Sequence, residues 1–321
     1  MRASLHIAVL LAAFAAAPAC AQSYPARPVR IYIPFTAGSA ADIIARAMEP
    51  QLREKLGQTL IIDNRGGAGG NIAAELTAKS VPDGYTVMMG TIGTHAINFS
   101  LYSKLPYHPQ RDFTPIALVG ESPNILVINP YVPAKSIKEL IALGKAKPGQ
   151  LNYGSSGSGT SVHLSAELFA TMAGVKMVHV PYKGATEALT ALLSGQLDLM
   201  FASLSSAIPL VKAGRLRAFA VTGAQRSSSI PELPTMSEAA LPGYAATAWY
   251  GLLGPAGMPP AAVTVLSSAA LASLQTQEVK DRFFASGVDV RAMPPDEFAR
   301  LIDSEIKKWA QVVKASGAKV D

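Results

Sequence analysis

The 321-residue sequence predicts an α/β protein built as two lobes, and three observations carry that reading. From Tyr24 onward, short β-rich runs alternate with amphipathic helical segments, the pattern of sheets covered by helices. About 300 residues remain once an N-terminal leader is set aside, beyond the size at which one core keeps growing. Loops rich in glycine, serine and threonine recur where a strand hands over to a helix, which is where open α/β sheets gather ligands.

The elements follow in order. Arg2, the apolar run Leu5–Ala17 broken only by His6, and the small residues Ala19-Cys20-Ala21 have the layout of a secretory signal, residues 1–21, cut after Ala21 to release a periplasmic protein. The run is shorter than the ~20 residues a membrane span needs. A lipoprotein acylated at Cys20 is the alternative, although Ala17-Pro18-Ala19 lacks the bulky aliphatic residue usual three positions upstream. Cys20 is the single cysteine, so the mature chain offers no disulfide, thiolate nucleophile or thiolate metal site.

Strands are expected over Val29–Pro34, Thr59–Asp63, Thr86–Met89, Ile116–Val119, Ile125–Asn129, Leu151–Tyr153, Met177–Val180, Leu197–Phe201, Leu216–Val221 and Thr247–Leu253. Helices are expected over Ala40–Leu56, Asn71–Ser80, Ser136–Ala146, Ser161–Ala173, Ala185–Leu193 and Ser205–Ala213, with a final amphipathic helix from Pro294 to about Ala315. Pro50 is expected to kink or unwind the first helix, and Ser136 with Glu139 to form a capping box. The runs Asn124–Pro130 and Thr247–Leu253 are the candidate crossings between lobes. Residues 24–124 with 246–321 would form lobe I, and residues 125–245 lobe II.

Composition narrows the function. With 49% hydrophobic and 16% charged residues the chain reads as compact and globular, and its net charge of +6 mildly favours anionic ligands. The basic residues are scattered in pairs such as Arg53/Lys55 and Arg215/Arg217, with no basic face interleaved with aromatics, so no nucleic acid partner is expected.

Four strand-to-helix loops are the candidate ligand sites, because free N–H groups and the helix dipole favour a carboxylate there. The first runs from Pro34 to Asp42 and offers Phe35, Gly38, Ser39, Ala40 and Asp42, with Ser39 as N-cap and Asp42 reaching back to it. In the second, Gly90 to His95, Thr91 and Thr94 can cap or donate hydroxyls and His95 can donate to an anion. The third, Gly154 to Ser161, contains Ser155, Ser156, Gly159 and Thr160 and reads as an anion nest. The fourth brings Tyr182, Lys183 and Gly184 to a helix start, where Lys183 would ordinarily be a solvated charge.

Enzyme signatures fail on inspection. Gly154-Ser155-Ser156-Gly157-Ser158 has serine where G-x-S-x-G requires its second glycine, and Ile72 occupies the last glycine position of a dinucleotide fingerprint beginning at Gly67. No phosphate-loop lysine follows any of these glycines. The histidines His95, His108, His163 and His179 fall in no metal-ligand spacing. No cofactor, metal or catalytic residue is expected.

Several motifs in order complete the reading. Pro34-Phe35-x-x-Gly38-x-x-x-Asp42-x-x-Ala45-Arg46, Asn64-Arg65-Gly66-Gly67-Ala68-Gly69-Gly70-Asn71 and Pro82-Asp83-Gly84-Tyr85-Thr86 are followed by Gly93-Thr94-His95-Ala96-Ile97-Asn98. Then come Leu151-Asn152-Tyr153-Gly154-Ser155-Ser156-Gly157, Val178-His179-Val180-Pro181-Tyr182-Lys183-Gly184 and Gly195-Gln196-Leu197-Asp198, with Lys212-Ala213-Gly214-Arg215-Leu216-Arg217 last. From Tyr24 to Asp321 the chain resembles the Bug (Bordetella uptake gene) family of tripartite tricarboxylate transporter receptors.

The resemblance implies a type II periplasmic-binding-protein fold, a Venus flytrap of two α/β lobes closing over one ligand. It implies a small carboxylate ligand (mono-, di- or tricarboxylate, or an amino or aromatic acid), held partly through ordered water, and a small and a large integral membrane subunit as partners. A monomer is expected. Carried over, the four loops line the cleft together with Asp198 and Phe201. The chain departs from the usual Pro-Gly-Gly form of the first loop, with Ala37 for proline and Ser39 for the second glycine, which bears on ligand identity. The alternatives are a periplasmic small-ester hydrolase acting through Ser156 and a ligand sensor contacting a kinase ectodomain.

Overall fold

The computed structural model describes residues 24–320, so the expected leader and its cleavage point lie outside the described residues. Strand β1 (Val29–Ile33) alternates buried Val29, Ile31 and Ile33 with half-buried Arg30 and Tyr32, the period-two pattern of a sheet covered more heavily on one face. It pairs in parallel with β2 (Leu60–Asn64) on one side and β3 (Thr86–Thr91) on the other. Helix α1 (Ala40–Leu56) links β1 to β2, and α2 (Asn71–Ala78) links β2 to β3. One turn of π-helix, Gly93–Ile97, follows β3 and runs into the short α3 (Asn98–Leu101).

Strand β4 (Phe113–Ile128) is the long spine of the molecule. Its Phe113–Pro123 portion lies antiparallel to β9 (Thr247–Pro255), which also borders β3. Its Asn124–Ile128 portion lies antiparallel to β7 (Leu199–Ser203) and β8 (Arg217–Val221). The sequence pattern divides this region at Gly120–Asn124 into two strands. The structure corrects that to one, because each part of the segment finds a different pairing partner and the extended backbone need not stop between them.

Beyond β4 comes α4 (Ile137–Ala146), then β5 (Leu151–Ser155), which lies parallel between β6 (Met177–Pro181) and β7. Helices α5 (Ser161–Ala173) and α6 (Ala185–Leu193) make those connections, and α7 (Leu204–Lys212) follows β7. After β8 and the short α8 (Met236–Ala239), the chain enters β9 and then α9 (Pro260–Ser273), α10 (Gln277–Ala285), β10 (Asp289–Met293) and α11 (Pro295–Ser316). β10 pairs with β4.

The strand order β2-β1-β3-β9-β4-β7-β5-β6 repeats one motif in both halves. Parallel strands stand in the order second, first, third, followed by an antiparallel strand. In such a sheet the order reverses beside the first strand, and the crevice for a ligand opens at the carboxyl ends of that strand and the third. Those ends are β1 with β3 in one half and β5 with β7 in the other.

Alternate residues of β4 feed two cores. Leu126 and Ile128 join the large cluster that includes Phe169, Phe201 and Tyr244, whereas Ile125 and Val127 join Val162, Leu192 and Met200 on the other face. Both faces are thus covered, as parallel sheets require. Where the halves meet, Thr222 accepts from the Asn124 amide through its hydroxyl (2.8 Å) and donates to the Ala246 carbonyl (2.5 Å), stitching three passes of chain together.

Helix starts agree with the sequence reading, with one shared displacement. Ser39 Oγ accepts from the Asp42 amide (3.4 Å) and Ser136 Oγ from the Glu139 amide (3.2 Å). The return bonds, however, come from Gly38 N to the Asp42 carboxylate (3.0 Å) and from Lys135 N to the Glu139 carboxylate (2.8 Å), one residue before each cap. Pro50 does not unwind α1. It removes one donor, while Ile44, Ala45, Met48, Leu52 and Leu56 on either side hold the helix to the core. The pattern reading omitted α9, α10 and β10. Helix α9 is dominated by alanine and serine, which gives weak amphipathic contrast. No helix among the described residues is long and apolar enough to cross a membrane.

Candidate ligand-binding cleft

The crevice predicted by the topology is present as a cavity between the halves, with about 420 Å³ of space between atoms, part of it continuous with solvent. The first half contributes Phe35 and Ser39–Ala41 after β1, Thr91–Gly93 after β3, and Ala248 and Tyr250 from β9. From the second half come Ser156 and Thr160–Val162 after β5, Ala185 after β6 and Ser203 at the end of β7. Five helix starts therefore converge: α1, the π-turn, α5, α6 and α7. Among the described residues no charged side chain lines the space. Its polarity comes from hydroxyls and from first-turn N–H groups that have no partner within their helices.

Of the residues singled out from sequence, Phe35, Ser39, Ala40, Thr91, Ser156 and Thr160 reach the cavity wall. The others are placed elsewhere. The Asp42 carboxylate is 3% exposed as a residue and is engaged by Gly38 N and by Arg46 Nε at 2.9 Å. Burial alone would raise its pKa, but the Arg46 and Gly38 hydrogen bonds, Asn64 and the Arg46 charge hold it below the ordinary carboxylate range. Asp42 frames the loop, and Gly38 lies exposed at its edge with φ +80°.

Thr94 is fully buried. Its hydroxyl donates to Thr91 O (3.1 Å), accepts from Thr91 N (3.0 Å) and meets His95 Nδ1 (2.8 Å). His95 packs edge-on against Phe113 at 4.5 Å, and burial drives its pKa down to about 3, so it is neutral and structural. Ser155 is likewise buried and sits 2.6 Å from His179 Nε2. That is the spacing of a nucleophile and its base, but Ser155 does not reach the cavity, and Ser156, which does, has no hydrogen bond to any described residue.

Gly159 and Gly184 sit at the seam between halves. A Cβ on Gly159 would lie 1.9 Å from Asn98 Oδ1, and one on Gly184 2.3 Å from Thr36 Oγ1. Tyr182 and Lys183 line an adjoining depression that shares Phe35 and Ser156 with the cavity and is bounded by Gly67–Gly70. Asp198 is not brought to the cavity. It precedes β7, at the opposite end from Ser203, and its carboxylate accepts from Asn152 N (2.7 Å). Phe201 is buried in the core against Phe169 at 5.6 Å.

Two residues that the sequence reading passed over stand out. Ser203 ends β7 and begins a helix whose cap it does not satisfy with its side chain. The pattern Phe201-Ala202-Ser203-Leu204-Ser205 carries the same strand-to-helix signal as the four chosen loops. Tyr250 is 5% exposed, lines the cavity and has no hydrogen bond from its hydroxyl to the described residues. Burial raises its pKa, so the phenol stays protonated and can donate. Among the described residues no cluster of His, Asp and Glu is placed to hold a metal ion.

A mostly enclosed, uncharged cavity at the carboxyl ends of parallel strands from two α/β halves is the architecture of a solute-binding receptor. Residues 44–318 match the model of the tripartite tricarboxylate transporter family receptor, and the chain belongs to that family. It is 35% identical over 306 residues to protein BugT of Bordetella pertussis, covering 95% of this chain and 94% of that one. Among solved structures, the R. palustris protein Rpa4515 with adipate superposes with a TM-score of 0.89 at 38% identity, covering 92% of this chain and 100% of the other. MatC from Rhodopseudomonas palustris with bound malate gives 0.86 at 34% identity, covering 90% and 100%. The resemblance and the two-lobe fold expected from sequence both hold. The relatives are solute-binding receptors, and the family points to a periplasmic location and to membrane transporter partners.

Proposed function

We propose that this receptor captures a small dicarboxylate in the cavity between its lobes and presents it to the small and large integral membrane subunits of a tripartite tricarboxylate transporter. The observation that carries the reading is the convergence of five helix starts on a space that no charged side chain among the described residues lines. Neutral donors and aligned dipoles stabilise a carboxylate without a buried counter-ion, whose desolvation would offset much of the attraction. The relatives with adipate and with malate support a small dicarboxylate.

Residues 24–124 with 246–321 form lobe I and 125–245 lobe II in this reading, and the leader is removed after Ala21. The cavity lies between the two halves and is walled by residues from both. A dicarboxylate therefore enters when the lobes part, and is enclosed when they return.

Thermal shift on refolded, ligand-stripped protein tests the reading. Adipate or malate at 100 times its dissociation constant is expected to raise the melting temperature by about 5 °C, from ~2.7 kcal/mol of linkage. Hexane-1,6-diol, with the same chain as adipate and no charge, should do nothing. An equal response to the diol, or none to any carboxylate in the panel, would reject it.

A further inference from the structure

We propose that the stacked imidazoles of His163 and His179 are positioning residues for ligand capture: they lock the loop Ser155–Thr160 and so aim Ser156 and Ser161 into the cavity. The inference rests on the carboxylate-capture reading above and adds to it the groups that hold the second lobe's donors in place.

The two rings lie parallel, with centroids 4.0 Å apart and planes 13° from each other, and Tyr153 lies parallel to His179 at 4.8 Å. Each ring ends in a hydrogen bond to the loop. His163 Nδ1 accepts from the Gly159 amide (3.2 Å), and the His163 amide donates to Thr160 Oγ1 (3.3 Å), whose hydroxyl donates to Gly157 O (2.8 Å). His179 Nε2 meets Ser155 Oγ at 2.6 Å, and the same oxygen accepts from the Gly157 amide (3.2 Å). Gly157 and Gly159 adopt φ of +124° and +83°, left-handed conformations that give the loop no repeating backbone pattern of its own. The imidazoles supply much of the order that such a loop lacks.

The chemistry requires neutral rings. An acceptor at Nδ1 of His163 puts its proton on Nε2, which faces Glu167 Oε1 at 3.8 Å. Glu167 in turn accepts from the Tyr153 hydroxyl. A second proton on His163 would remove the acceptor and release Gly159. Burial, with His179 beside it, keeps the His163 pKa down to about 3, and burial keeps that of His179 at about 4. The titratable groups facing the pair are Tyr153, Glu167 and the two rings themselves.

A pair that merely fills space needs only its shape, so two kinds of variant separate the roles. His163→Phe keeps a ring and removes the acceptor, whereas His163→Asn loses the stack and keeps an oxygen where Nδ1 stood. Amide hydrogen exchange of residues 155–162 without ligand, and calorimetric affinity for adipate and malate, are the readouts. His163→Phe is expected to speed exchange of this segment and weaken binding, each by about tenfold, the effect of losing one hydrogen bond, with His163→Asn within about threefold of the wild type.

Unchanged exchange in His163→Phe, or faster exchange with unaltered affinity, would overturn the proposal. Because that variant places an apolar ring beside Glu167 and can misfold, the wild-type histidine nitrogens are read by NMR as well. A neutral His163 protonated on Nε2 at pH 6 is required, and a charged ring or the Nδ1–H tautomer would overturn the proposal. If wild-type protein binds neither acid, the carboxylate reading fails, while the exchange and tautomer results still decide the locking of the loop.

Discussion

On the first lobe two of the hydroxyls on the cavity wall are consumed locally, Ser39 by the Asp42 amide and Thr91 by Thr94. On the second, the hydroxyls of Ser156, Ser161 and Ser203 line the cavity with no hydrogen bond among the described residues. Both lobes deliver helix starts to the cavity from the same kind of strand end. Their equipment differs. Lobe I presents mostly backbone and small residues braced by buried polar bonds, with the Tyr250 hydroxyl added from β9. Lobe II presents hydroxyls on a glycine-rich loop, at the helix start that follows it and at the end of β7, with the loop braced one layer deeper. A cavity between two lobes can thus draw its polarity from a rigid frame of helix dipoles on one side and from unbonded hydroxyls on the other.

The largest expected effect strikes where the two lobes touch. Gly159→Ala would place a methyl group 1.9 Å from Asn98 Oδ1 in a φ +83° conformation, at a cost of about 3 kcal/mol or more if the lobes are to close. Affinity for the carboxylate should fall at least ~100-fold, and small-angle scattering with ligand should keep the larger radius of gyration of the open form. Wild-type affinity would show that this seam does not govern capture.

Next comes the bracing of lobe I. Asp42→Asn removes a nearly buried carboxylate held by two donors and is expected to destabilise the fold by about 1–3 kcal/mol at pH 7. Because the folded-state pKa of Asp42 is lowered, this contribution is present above the unfolded value near ~4 and is lost as pH falls through the folded value. Denaturant melts of wild type and variant should therefore converge in acid. Parallel curves at every pH would remove the carboxylate's charge from the account.

Smaller effects separate the cavity hydroxyls. Tyr250→Phe deletes a hydroxyl with no protein partner, so the melting temperature without ligand should hold while binding weakens by ~1.5–3 kcal/mol, the range for a hydrogen bond to a charged group. Ser156→Ala, more open to water, should lose ~0.5–1.5 kcal/mol. If Ser156→Ala proved the more damaging of the two, the β9 contribution from lobe I would be misjudged and selection would rest on lobe II alone.

Much of this was legible beforehand because helix starts obey local rules. Ser39, Ser136 and Thr160 all cap where the pattern of apolar residues begins, and α1, α5 and α6 span the residues their periodicity marks. What was not legible depends on strand direction and on tertiary partners. Asp198 sits before its strand, so the parallel pairing of β7 with β5 carries it away from the cleft that Ser203 enters. Tyr250 lies in an apolar run, Trp249–Leu253, where only the pairing of β9 between β3 and β4 decides that Ala248 and Tyr250 face the cavity. Thr94 and His95 carry suitable groups, but the tight turn after β3 points those groups at each other.

A crystal structure with adipate bound would show whether neutral donors at converging helix starts hold the carboxylate. Carboxylate oxygens are expected within hydrogen-bonding distance, directly or through one water, of amides or hydroxyls among Ser39–Ala41, Thr91–Gly93, Ser156, Ser161, Ser203 and Tyr250. Adipate seated instead with a carboxylate paired to Lys183 in the adjoining depression would contradict this reading.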